Sequence, residues 1–484
     1  MGNDRSVAIV GAGVSGLAAA CLLSRNGVQV HLFEAGAKVG GCCATSRIGG
    51  YTFNDGALYL AMPGLLERLL ARLGLDPGTA LPLRRIVALQ STVLPDGTRI
   101  EVGEGPELSI LPHPGAKASY RNRAELAAFL AAWGPMLDDF AEDLLPHPFS
   151  MGRFLARGWR HLPRLMGTAA AGLERHFSSR AVQGALGGSL LYAGVPPDRM
   201  PATALLGLAS MLRDGLHIPE GGMGRLPEAL AEKVRETGGH IHLQTPVRKL
   251  LVEDGRVRGL EVPDGPVEAD AVISTLSGMH TCETLLPASA VPPRLRRRVN
   301  RAPLSHRGFV LQLGLPDPVE ARSHIHAVLP WLRDQGEIFR GASRPTPWVT
   351  WSVPTVTLPE LAPQGGSIVE IFPSIPQDLA PDQWDEARKE GVARAALEAV
   401  SGESSPKVAV RRILSPREFR DDLHLFAGAL YGLSPAAGPG ALFPCRTPIR
   451  GLFQAGQTTW PGFGVVSAGW SGVFAAEAIL EEGL

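Results

Sequence analysis

Three glycines near the N-terminus have the spacing of a phosphate-binding turn. Gly11, Gly13 and Gly16 lie in GAGVSG, after the β-branched run 6–10 and before a helical run that ends at Gly27. In this pattern the first glycine permits a tight turn, the second lets a pyrophosphate approach the backbone, and the third lets the helix pack closely on the strand. The free N–H groups of the helix N-terminus suit phosphate oxygens. The sequence therefore predicts a dinucleotide-binding βαβ unit.

An acidic residue ends the second strand of this unit, VQVHLFE, at Glu34. A carboxylate there can accept hydrogen bonds from the adenosine ribose hydroxyls, and it would repel a 2′-phosphate. Strand, glycine turn, helix, strand and acid follow one another, which makes the prediction stronger than the glycines alone would. The residues predicted to contact the dinucleotide in this unit are Gly11, Ala12, Gly13, Val14, Ser15, Gly16, Glu34 and Ala35.

A second glycine-rich stretch carries two adjacent cysteines, in the order Gly40, Gly41, Cys42 and Cys43. Neighbouring cysteines can bond to each other only through a strained ring. A metal would need further ligands at suitable spacing, and the sequence offers none. We interpret the four residues as a close-fitting loop beside the cofactor, and keep a redox role or covalent cofactor attachment as alternatives.

The bulk composition restricts the class of protein. The chain has 484 residues, of which 45% are hydrophobic and 19% charged, and its 47 basic side chains equal its 47 acidic ones. Such a chain can bury a large core, and its neutrality gives no reason to expect nucleic-acid binding. Five cysteines without a CxxC fit a reducing compartment, so we expect a cytoplasmic protein. The apolar N-terminal stretch is explained by the nucleotide-binding turn, so we expect neither a signal peptide nor a spanning helix there.

Two later segments, together with the GGCC loop, resemble flavoproteins of the amine oxidase and phytoene desaturase superfamily. The first is 219–276, from PEGGMGRL to DAVISTLS, and the second is 447–480, from TPIRGLFQAGQTTWPGFG onward. The resemblance implies that the cofactor is FAD, that a strand beginning near Val247 passes the adenine, and that the last helix points at the flavin ring. The residues that it adds to the cofactor site are Gly40, Gly41, Cys42, Cys43, Val247, Gly456, Gln457, Gly464, Val465 and Val466.

Within that superfamily the chain is most similar to the phytoene desaturase, carotenoid isomerase and retinol saturase group. Small residues after the double glycine resemble the isomerase and saturase branch, where the desaturase branch usually has an arginine. Two positions depart from the group: the usual Phe-Asp-x-Gly is Phe-Asn-Asp-Gly at 53–56, and Gln457 stands where an acid is common. An amide still donates and accepts hydrogen bonds, but it adds no negative charge near the flavin.

This resemblance implies an α/β fold with a Rossmann-like FAD-binding domain of the glutathione reductase type. It also implies an α+β substrate domain with an antiparallel sheet and a helical insertion. The sequence reads as strands at 305–314, 347–353, 367–373 and 408–414, with a helix between the last two. The predicted domain segments are 1–80, 215–280 and 441–484 for FAD, and 81–214 and 281–440 for the substrate.

The expected activity is flavin-dependent chemistry on carbon–carbon bonds of a lipophilic, polyene or isoprenoid substrate. Desaturation, saturation and isomerisation all stay open, and so does the electron acceptor, oxygen or a quinone. Asp55, Tyr59 and Trp460 are the candidate catalytic residues by motif position. An amine oxidase and a non-catalytic escort protein on the same fold are the alternatives. His324 and His326 share one side of a strand, but no metal site is predicted.

Residues 154–177 interleave arginines with Trp159, Leu162, Leu165 and Met166. A helix of this kind can lie on a bilayer surface, which would give a peripheral membrane contact. It can equally be an amphipathic helix whose apolar side packs on the core while its arginines are solvated, and the neutral net charge favours this second interpretation.

Overall fold

A computed structural model gives the structure of the chain and describes residues 6–103, 108–111, 121–339, 348–402 and 406–483. The strands are β1 (Ser6–Val10), β2 (Gln29–Phe33), β3 (Thr45–Ile48), β4 (Tyr51–Asn54), β5 (Leu83–Arg85), β6 (Gln90–Val93), β7 (Arg99–Val102), β8 (Leu108–Leu111), β9 (His217–Pro219), β10 (His240–His242), β11 (Lys249–Glu253), β12 (Arg256–Val262), β13 (Gly265–Glu268), β14 (Ala271–Ser274), β15 (Val310–Leu315), β16 (Ile325–Val328), β17 (Val349–Ser352), β18 (Ser367–Pro373), β19 (Val410–Leu414) and β20 (Leu452–Gln454). The helices are α1 (Val14–Arg25), α2 (Pro63–Leu73), α3 (Pro77–Ala80), α4 (Arg121–Asp139), α5 (Met151–Gly158), α6 (Leu162–Leu165), α7 (Ala169–His176), α8 (Arg180–Leu190), α9 (Ala204–Asp214), α10 (Arg225–Glu236), α11 (Gly278–His280), α12 (Pro293–Asn300), α13 (Glu386–Ser401), α14 (Pro416–Asp421) and α15 (Val465–Glu481).

A five-stranded parallel sheet forms the first layer, in the order β10-β2-β1-β14-β20. Its strands come from three separated parts of the chain, as the sequence predicts for a nucleotide-binding domain interrupted twice by another domain. The predicted βαβ unit is confirmed as β1, α1 and β2, and the DAVIST stretch is confirmed as β14, which pairs in parallel with β1. The domain boundaries themselves stay a prediction.

Helix α1 is buried over almost its whole length, which explains its composition of small and apolar residues. A Cβ atom at Gly16 would stand 2.0 Å from the Gly11 carbonyl oxygen. A Cβ atom at Gly472 of α15 would stand 2.0 Å from the Ser15 carbonyl oxygen. Both distances are too short for any side chain, so glycine is what lets β1, α1 and α15 pack backbone against backbone.

The second layer is an eight-stranded sheet in the order β19-β15-β18-β17-β16-β6-β7-β8. Neighbouring strands are antiparallel except β16 and β6, which are parallel. The four predicted strands are present, although the first begins at Val310 instead of 305, and the helix predicted between the last two is α13. Leu311, Leu313 and Ile371 pack with α13 in one apolar cluster, so the alternate residues of these strands lie on the opposite face.

The helical insertion includes a surface segment, residues 149–166, which we call the amphipathic segment. It forms α5, a 3₁₀ turn and α6 in succession. The interpretation of this segment as an amphipathic helix packed on the core is wrong. Trp159 is 63% exposed and Met166 is 72% exposed, and Leu155 and Leu162 also lie on the surface. Only Leu165 of the four singled-out apolar residues packs partly against the core.

Candidate functional site

The two glycine-rich loops lie against each other at the carboxyl ends of β1 and β2. Gly40 donates its backbone N–H to the Ala12 carbonyl at 2.8 Å, and Gly13 and Gly40 form an isolated parallel bridge. A Cβ atom at Gly41 would stand 3.5 Å from the Cα atom of Gly13. The structure therefore brings together two stretches that are separated by about thirty residues in the sequence, as the cofactor prediction requires.

The N-terminus of α1 offers donors for a phosphate group. Gly13 is the N-cap residue and, among the described residues, no side chain caps this end of the helix. The Ser15 hydroxyl is buried there without a hydrogen-bond partner in the described part of the chain. A Cβ atom at Gly13 would meet no atom within 4 Å. Open space at a glycine, an orphaned hydroxyl and uncapped N–H groups fit a pyrophosphate held at this helix end.

Glu34 already holds the two loops in place. One carboxylate oxygen accepts the Ala12 N–H at 2.8 Å and the other accepts the Gly36 N–H at 2.8 Å. A carboxylate has about four acceptor positions, so two backbone bonds leave capacity for ribose hydroxyls. The ribose contact and the contact at Ala35, which follows Glu34, stay predictions.

The cysteine pair does not have the electrostatics of a redox centre. Burial raises the pKa of the Cys42 thiol to about 11, and burial raises the pKa of Cys43 still further. Reactive cysteines have the opposite shift, because the thiolate is the nucleophile. Both thiols are free, and Cys43 lies in a 3₁₀ turn with its sulfur 3.5 Å from the Met223 carbonyl. The packing interpretation of the GGCC loop is the one that these contacts favour.

Thr275, which follows β14, lies between the turn after β1 and the turn after β20. The sequence reasoning did not single out this residue. The Thr275 hydroxyl donates to the Val10 carbonyl at 2.7 Å. A Cβ atom at Gly11 would stand 2.7 Å from that hydroxyl, and one at Gly456 would stand 2.7 Å from the Thr275 carbonyl. The turn after β1 and the turn after β20 are thus packed on the same residue, which follows β14.

Helix α15 begins after this turn, with Gly464 as its N-cap, so Val465 and Val466 stand in its first turn as predicted. Among the described residues no side chain caps this helix end either. Gln457 lies between the β20 turn and the helix, beside Gly432. The predicted flavin contacts of these residues stay predictions.

The strand predicted to begin near Val247 begins at Lys249. Val247 therefore precedes β11, and its partly buried side chain packs against a neighbouring apolar cluster.

Asp55 is held in a charged network that ties the GGCC loop to the antiparallel sheet. Its side chain is 3% exposed and forms ion pairs with Lys38 at 2.7 Å and with Arg412 of β19 at 2.5 Å. Burial favours the protonated form, but the hydrogen bonds from Lys38, Arg412 and Ser46 outweigh it and hold the pKa of Asp55 below its ordinary value. These contacts favour an anchoring role, and the predicted proton role of Asp55 stays untested.

The other two catalytic candidates lie on different sides of the site. Tyr59 has its ring edge-on to His324 at 5.5 Å, and its hydroxyl is buried without a hydrogen-bond partner in the described residues. Trp460 donates its indole N–H to the His147 carbonyl at 2.8 Å and packs on the Phe149 ring at 5.1 Å. Trp460 therefore joins the C-terminal loop to the start of the amphipathic segment.

The rings of His324 and His326 are each hydrogen-bonded to a protein oxygen atom. The His324 ring bonds to the Thr357 hydroxyl at 2.8 Å, and the His326 ring bonds to the Ser323 carbonyl at 2.8 Å and stacks on Trp351. Within the part of the chain that the structure describes, no group of three His, Cys, Asp or Glu side chains could hold a metal ion. These contacts favour two structural histidines.

The sequence reasoning missed the acid at the centre of the antiparallel sheet. Glu370 of β18 is 1% exposed and accepts hydrogen bonds from Gln312 at 2.9 Å and from Ser352 at 3.0 Å. Gln312 also donates to the Asn54 carbonyl at 2.7 Å, next to Asp55. A lone glutamate inside the apolar strand SIVEIF was the available signal, since a charge at the centre of a buried strand needs a reason.

A valine at Gly13 tests the phosphate site. The side chain would enter open space in the protein and Gly13 has an extended backbone (φ −71°, ψ 174°), so the fold should be kept. We expect Gly13→Val to weaken FAD binding at least about tenfold, since the branched side chain stands where the pyrophosphate approaches. The measurement is flavin absorbance retained by the purified protein and titration of the apoprotein with FAD. Gly391→Val on α13, where a Cβ atom also meets no atom within 4 Å, is the matched control. Equal FAD affinity of the two variants would contradict the site.

Removing the charge of Asp55 tests the anchor. We expect Asp55→Asn to lower the free energy of unfolding by about 2 kcal/mol at pH 7, mainly through the buried bond to Arg412, because Lys38 is half exposed and screened. Since the folded pKa lies below the ordinary value of 3.8, this contribution is complete above that value and is lost as the pH falls through the folded pKa. The difference from wild type should therefore shrink below about pH 4 in denaturant titrations. Asp317→Asn, at an exposed position, should change stability little at either pH. A pH-independent difference would contradict the ion pairs.

Comparison with known proteins identifies the family. The profile of the family described as "Flavin containing amine oxidoreductase" matches residues 14–480. Among curated proteins, the chain is 26% identical to a zeta-carotene-forming phytoene desaturase of Myxococcus xanthus, over 96% of this chain and 91% of that protein. It is 23% identical to a 4,4′-diapophytoene desaturase of Staphylococcus aureus, over 95% of each.

Solved structures show the same fold. An oxidoreductase from Methanosarcina mazei superposes with a TM-score of 0.67 at 18% identity, covering 98% of this chain and 100% of that one. Cyclohexylamine oxidase from Brevibacterium oxydans superposes with a TM-score of 0.61 at 19% identity, covering 99% of each chain. The expected fold class and FAD as cofactor are confirmed. The chain belongs to the flavin-containing amine oxidoreductase family and is an FAD-dependent oxidoreductase of the desaturase-like kind.

Proposed function

We propose that this protein desaturates carbon–carbon bonds of a lipophilic polyene or isoprenoid substrate. The observation that carries the proposal is the similarity to two curated carotenoid desaturases along 95–96% of the chain. The similarity spans the cofactor loops, the helical insertion and the antiparallel sheet alike, so it involves the substrate-binding part of the chain as well as the FAD-binding part.

Bound FAD supplies a two-electron acceptor for hydride from carbon. The residues of this chain do the remaining work. Gly13, Ser15 and the uncapped end of α1 hold the pyrophosphate, and Glu34 orients the ribose. Asp55, through Arg412, fixes the GGCC loop against the sheet on which the substrate lies. Tyr59 and Trp460 border the substrate from the two sides of the site.

The electrons must then leave the protein. The sequence has one dinucleotide fingerprint, at residues 11–16, and FAD occupies it in this assignment. A stoichiometric nicotinamide partner therefore has no evident binding unit, and we infer that oxygen or a quinone accepts the electrons. A membrane quinone would reach the protein by the same route as a lipophilic substrate.

We further infer that the amphipathic segment rests on a membrane surface that contains anionic lipid. Residues 149–166 carry four arginines and no acid, although Arg157 and Arg160 pair with Asp143 and Asp139 of the preceding helical residues. Their exposed large apolar side chains are Phe149, Met151, Leu155, Trp159, Leu162 and Met166. Apolar side chains that enter the headgroup region beside arginines that face lipid phosphates are typical of interfacial helices. None of the described helices is both long and apolar enough to cross a bilayer.

The activity is tested by the lipophilic extract of cells that make the protein together with a polyene or isoprenoid precursor. We expect products lighter than the precursor by about two mass units for each new double bond, because two hydrogens leave. Cells with Gly13→Val should lack these products, and cells with Gly391→Val should form them. A product of unchanged mass and new retention time would mean isomerisation, and a heavier product saturation. Peroxide release on primary or secondary amines, with no polyene product, would instead indicate an amine oxidase.

The membrane contact is tested by sedimentation with vesicles of phosphatidylcholine alone or with added phosphatidylglycerol. We expect stronger binding to the anionic vesicles, weakened by salt, because the arginines act electrostatically. Replacing both Trp159 and Met166 by serine should weaken binding about tenfold or more, since two large apolar groups no longer enter the bilayer. Val87→Ser, at another exposed apolar residue outside the segment, is the control and should bind like wild type. Equal binding by wild type, the double variant and the control would contradict the proposal that the amphipathic segment contacts the membrane.

A further inference from the structure

The face of the antiparallel sheet opposite α13 carries a row of polar side chains. Arg412 on β19, Gln312 on β15, Glu370 on β18 and Ser352 on β17 are successive cross-strand partners. Gln312, Glu370 and Ser352 are each 1% exposed. Gln312 donates to the Asn54 carbonyl and Arg412 pairs with Asp55, so this row faces the cofactor loops.

Glu370 has no cation of its own. Among the described residues no lysine, arginine or histidine forms an ion pair with it, and its two neighbours in hydrogen bonding, Gln312 and Ser352, are neutral. Burial raises the pKa of Glu370 to about 7, opposed by the hydrogen bonds from Ser352 and Gln312 and by the charge of Arg412. The carboxyl group is therefore present near neutral pH both as an acceptor and as an O–H donor.

Unpartnered polar atoms surround this carboxyl group. The hydroxyl oxygens of Tyr59, Tyr192 and Thr350 are all buried without a hydrogen-bond partner in the described part of the chain. The Tyr59 hydroxyl is near the Ser352 hydroxyl and the Tyr192 hydroxyl is near the Thr350 hydroxyl, but neither pair has the geometry of a hydrogen bond. Both phenols are within electrostatic reach of Glu370, and burial raises the pKa of each, so both are protonated donors at neutral pH.

Burying these polar groups destabilises the folded protein unless another group forms hydrogen bonds with them. A buried polar group without a partner costs about 1–3 kcal/mol, and this cluster holds three hydroxyls besides the carboxyl group. A hydrocarbon chain offers no atom that could satisfy them. A hydroxyl oxygen accepts two hydrogen bonds from phenolic O–H groups and donates one to a carboxylate, so one hydroxyl group satisfies Tyr59, Tyr192 and Glu370 together.

We propose that Tyr59, Tyr192 and Glu370 bind an oxygen-bearing group, a hydroxyl or carbonyl, of the lipophilic substrate. This inference rests on the proposed function and narrows its substrate class from polyenes in general to oxygenated ones. The oxygen anchors one point of the substrate on the sheet, and this fixes which carbon–carbon bond lies beside the flavin. The cluster thus determines specificity and position, and takes no part in the electron transfer.

The test compares two ligands that differ by one oxygen. The holoprotein is titrated with all-trans-retinol and with the hydrocarbon that lacks only its hydroxyl oxygen, and dissociation constants are read from quenching of tryptophan fluorescence. We expect wild type to bind the alcohol about tenfold or more tightly than the hydrocarbon, which corresponds to hydrogen bonds lost with the oxygen. Tyr59→Phe, Tyr192→Phe and Glu370→Gln should each reduce this ratio and leave the hydrocarbon's constant unchanged.

The two phenylalanine variants keep the test valid if Glu370→Gln does not fold, because each removes an oxygen that has no partner among the described residues. Tyr51→Phe is the matched control, since this ring packs over Gly314 outside the cluster. It should keep the wild-type ratio. A ratio near one in wild type, or a ratio unchanged in all three variants, overturns the proposal and indicates that water alone occupies the cluster. Selective binding of the alcohol without any polyene product in cells would overturn the proposed function and leave this site standing.

Discussion

The close contact of backbone on backbone around α1 is the constraint on which the rest of the structure depends. Gly16 lets the helix lie on the turn after β1, and Gly472 lets α15 lie on the first turn of α1. Any side chain at either glycine would press on a carbonyl oxygen, and overpacking of this kind costs about 1–3 kcal/mol even where the structure can adjust. The same two contacts bring the uncapped ends of α1 and α15 into one nucleotide-binding domain. Stability and cofactor binding therefore depend on the same small residues.

A second dependence runs from the cofactor loops to the antiparallel sheet. Asp55 is separated from Arg412 by more than 350 residues, yet their ion pair joins the end of β4 to an edge strand of the second layer. Gln312 continues the connection to Glu370. The polar row thus has two functions in our account: one end holds the loop that contacts FAD, and the other end carries the unpartnered hydroxyls. A substitution in the middle, at Gln312, would disturb both.

Sequence reasoning predicted the cofactor half of this site because its signals are local. The signals lie within 24 residues, at Gly11, Gly13, Gly16 and Glu34. The turn geometry requires the three glycines, and the ribose hydroxyls suit the carboxylate of Glu34. The contacts of Thr275, Arg412 and Glu370 join parts of the chain that are far apart, and no spacing rule encodes them. Only Glu370, the single charged residue of SIVEIF, indicated from the sequence that this strand makes a buried polar contact. The strand predicted to begin near Val247 begins two residues later, at Lys249, although Arg248 already donates its backbone N–H to Glu261 of β12.

The amphipathic segment shows a different limit of sequence reasoning. Apolar residues interleaved with arginines have the same pattern whether the apolar side packs on a protein core or enters a bilayer, so Trp159 and Met166 could not be placed from their spacing. What decides is whether other elements cover that face, and this depends on the packing of α4 to α9 as a whole. The fold class needed no such information, since the glycine-rich βαβ unit together with the resemblance to flavoproteins predicted it.

The bond between the Trp460 indole and the His147 carbonyl joins the C-terminal loop to the helical insertion. In our proposals residues 149–166 rest on lipid and Trp460 borders the substrate, so this bond links the proposed membrane contact to the proposed substrate site. A hydrophobic molecule that leaves the bilayer there need not cross water before it meets Trp460. Under these two proposals, the substrate leaves the membrane and reacts at the same edge of the protein.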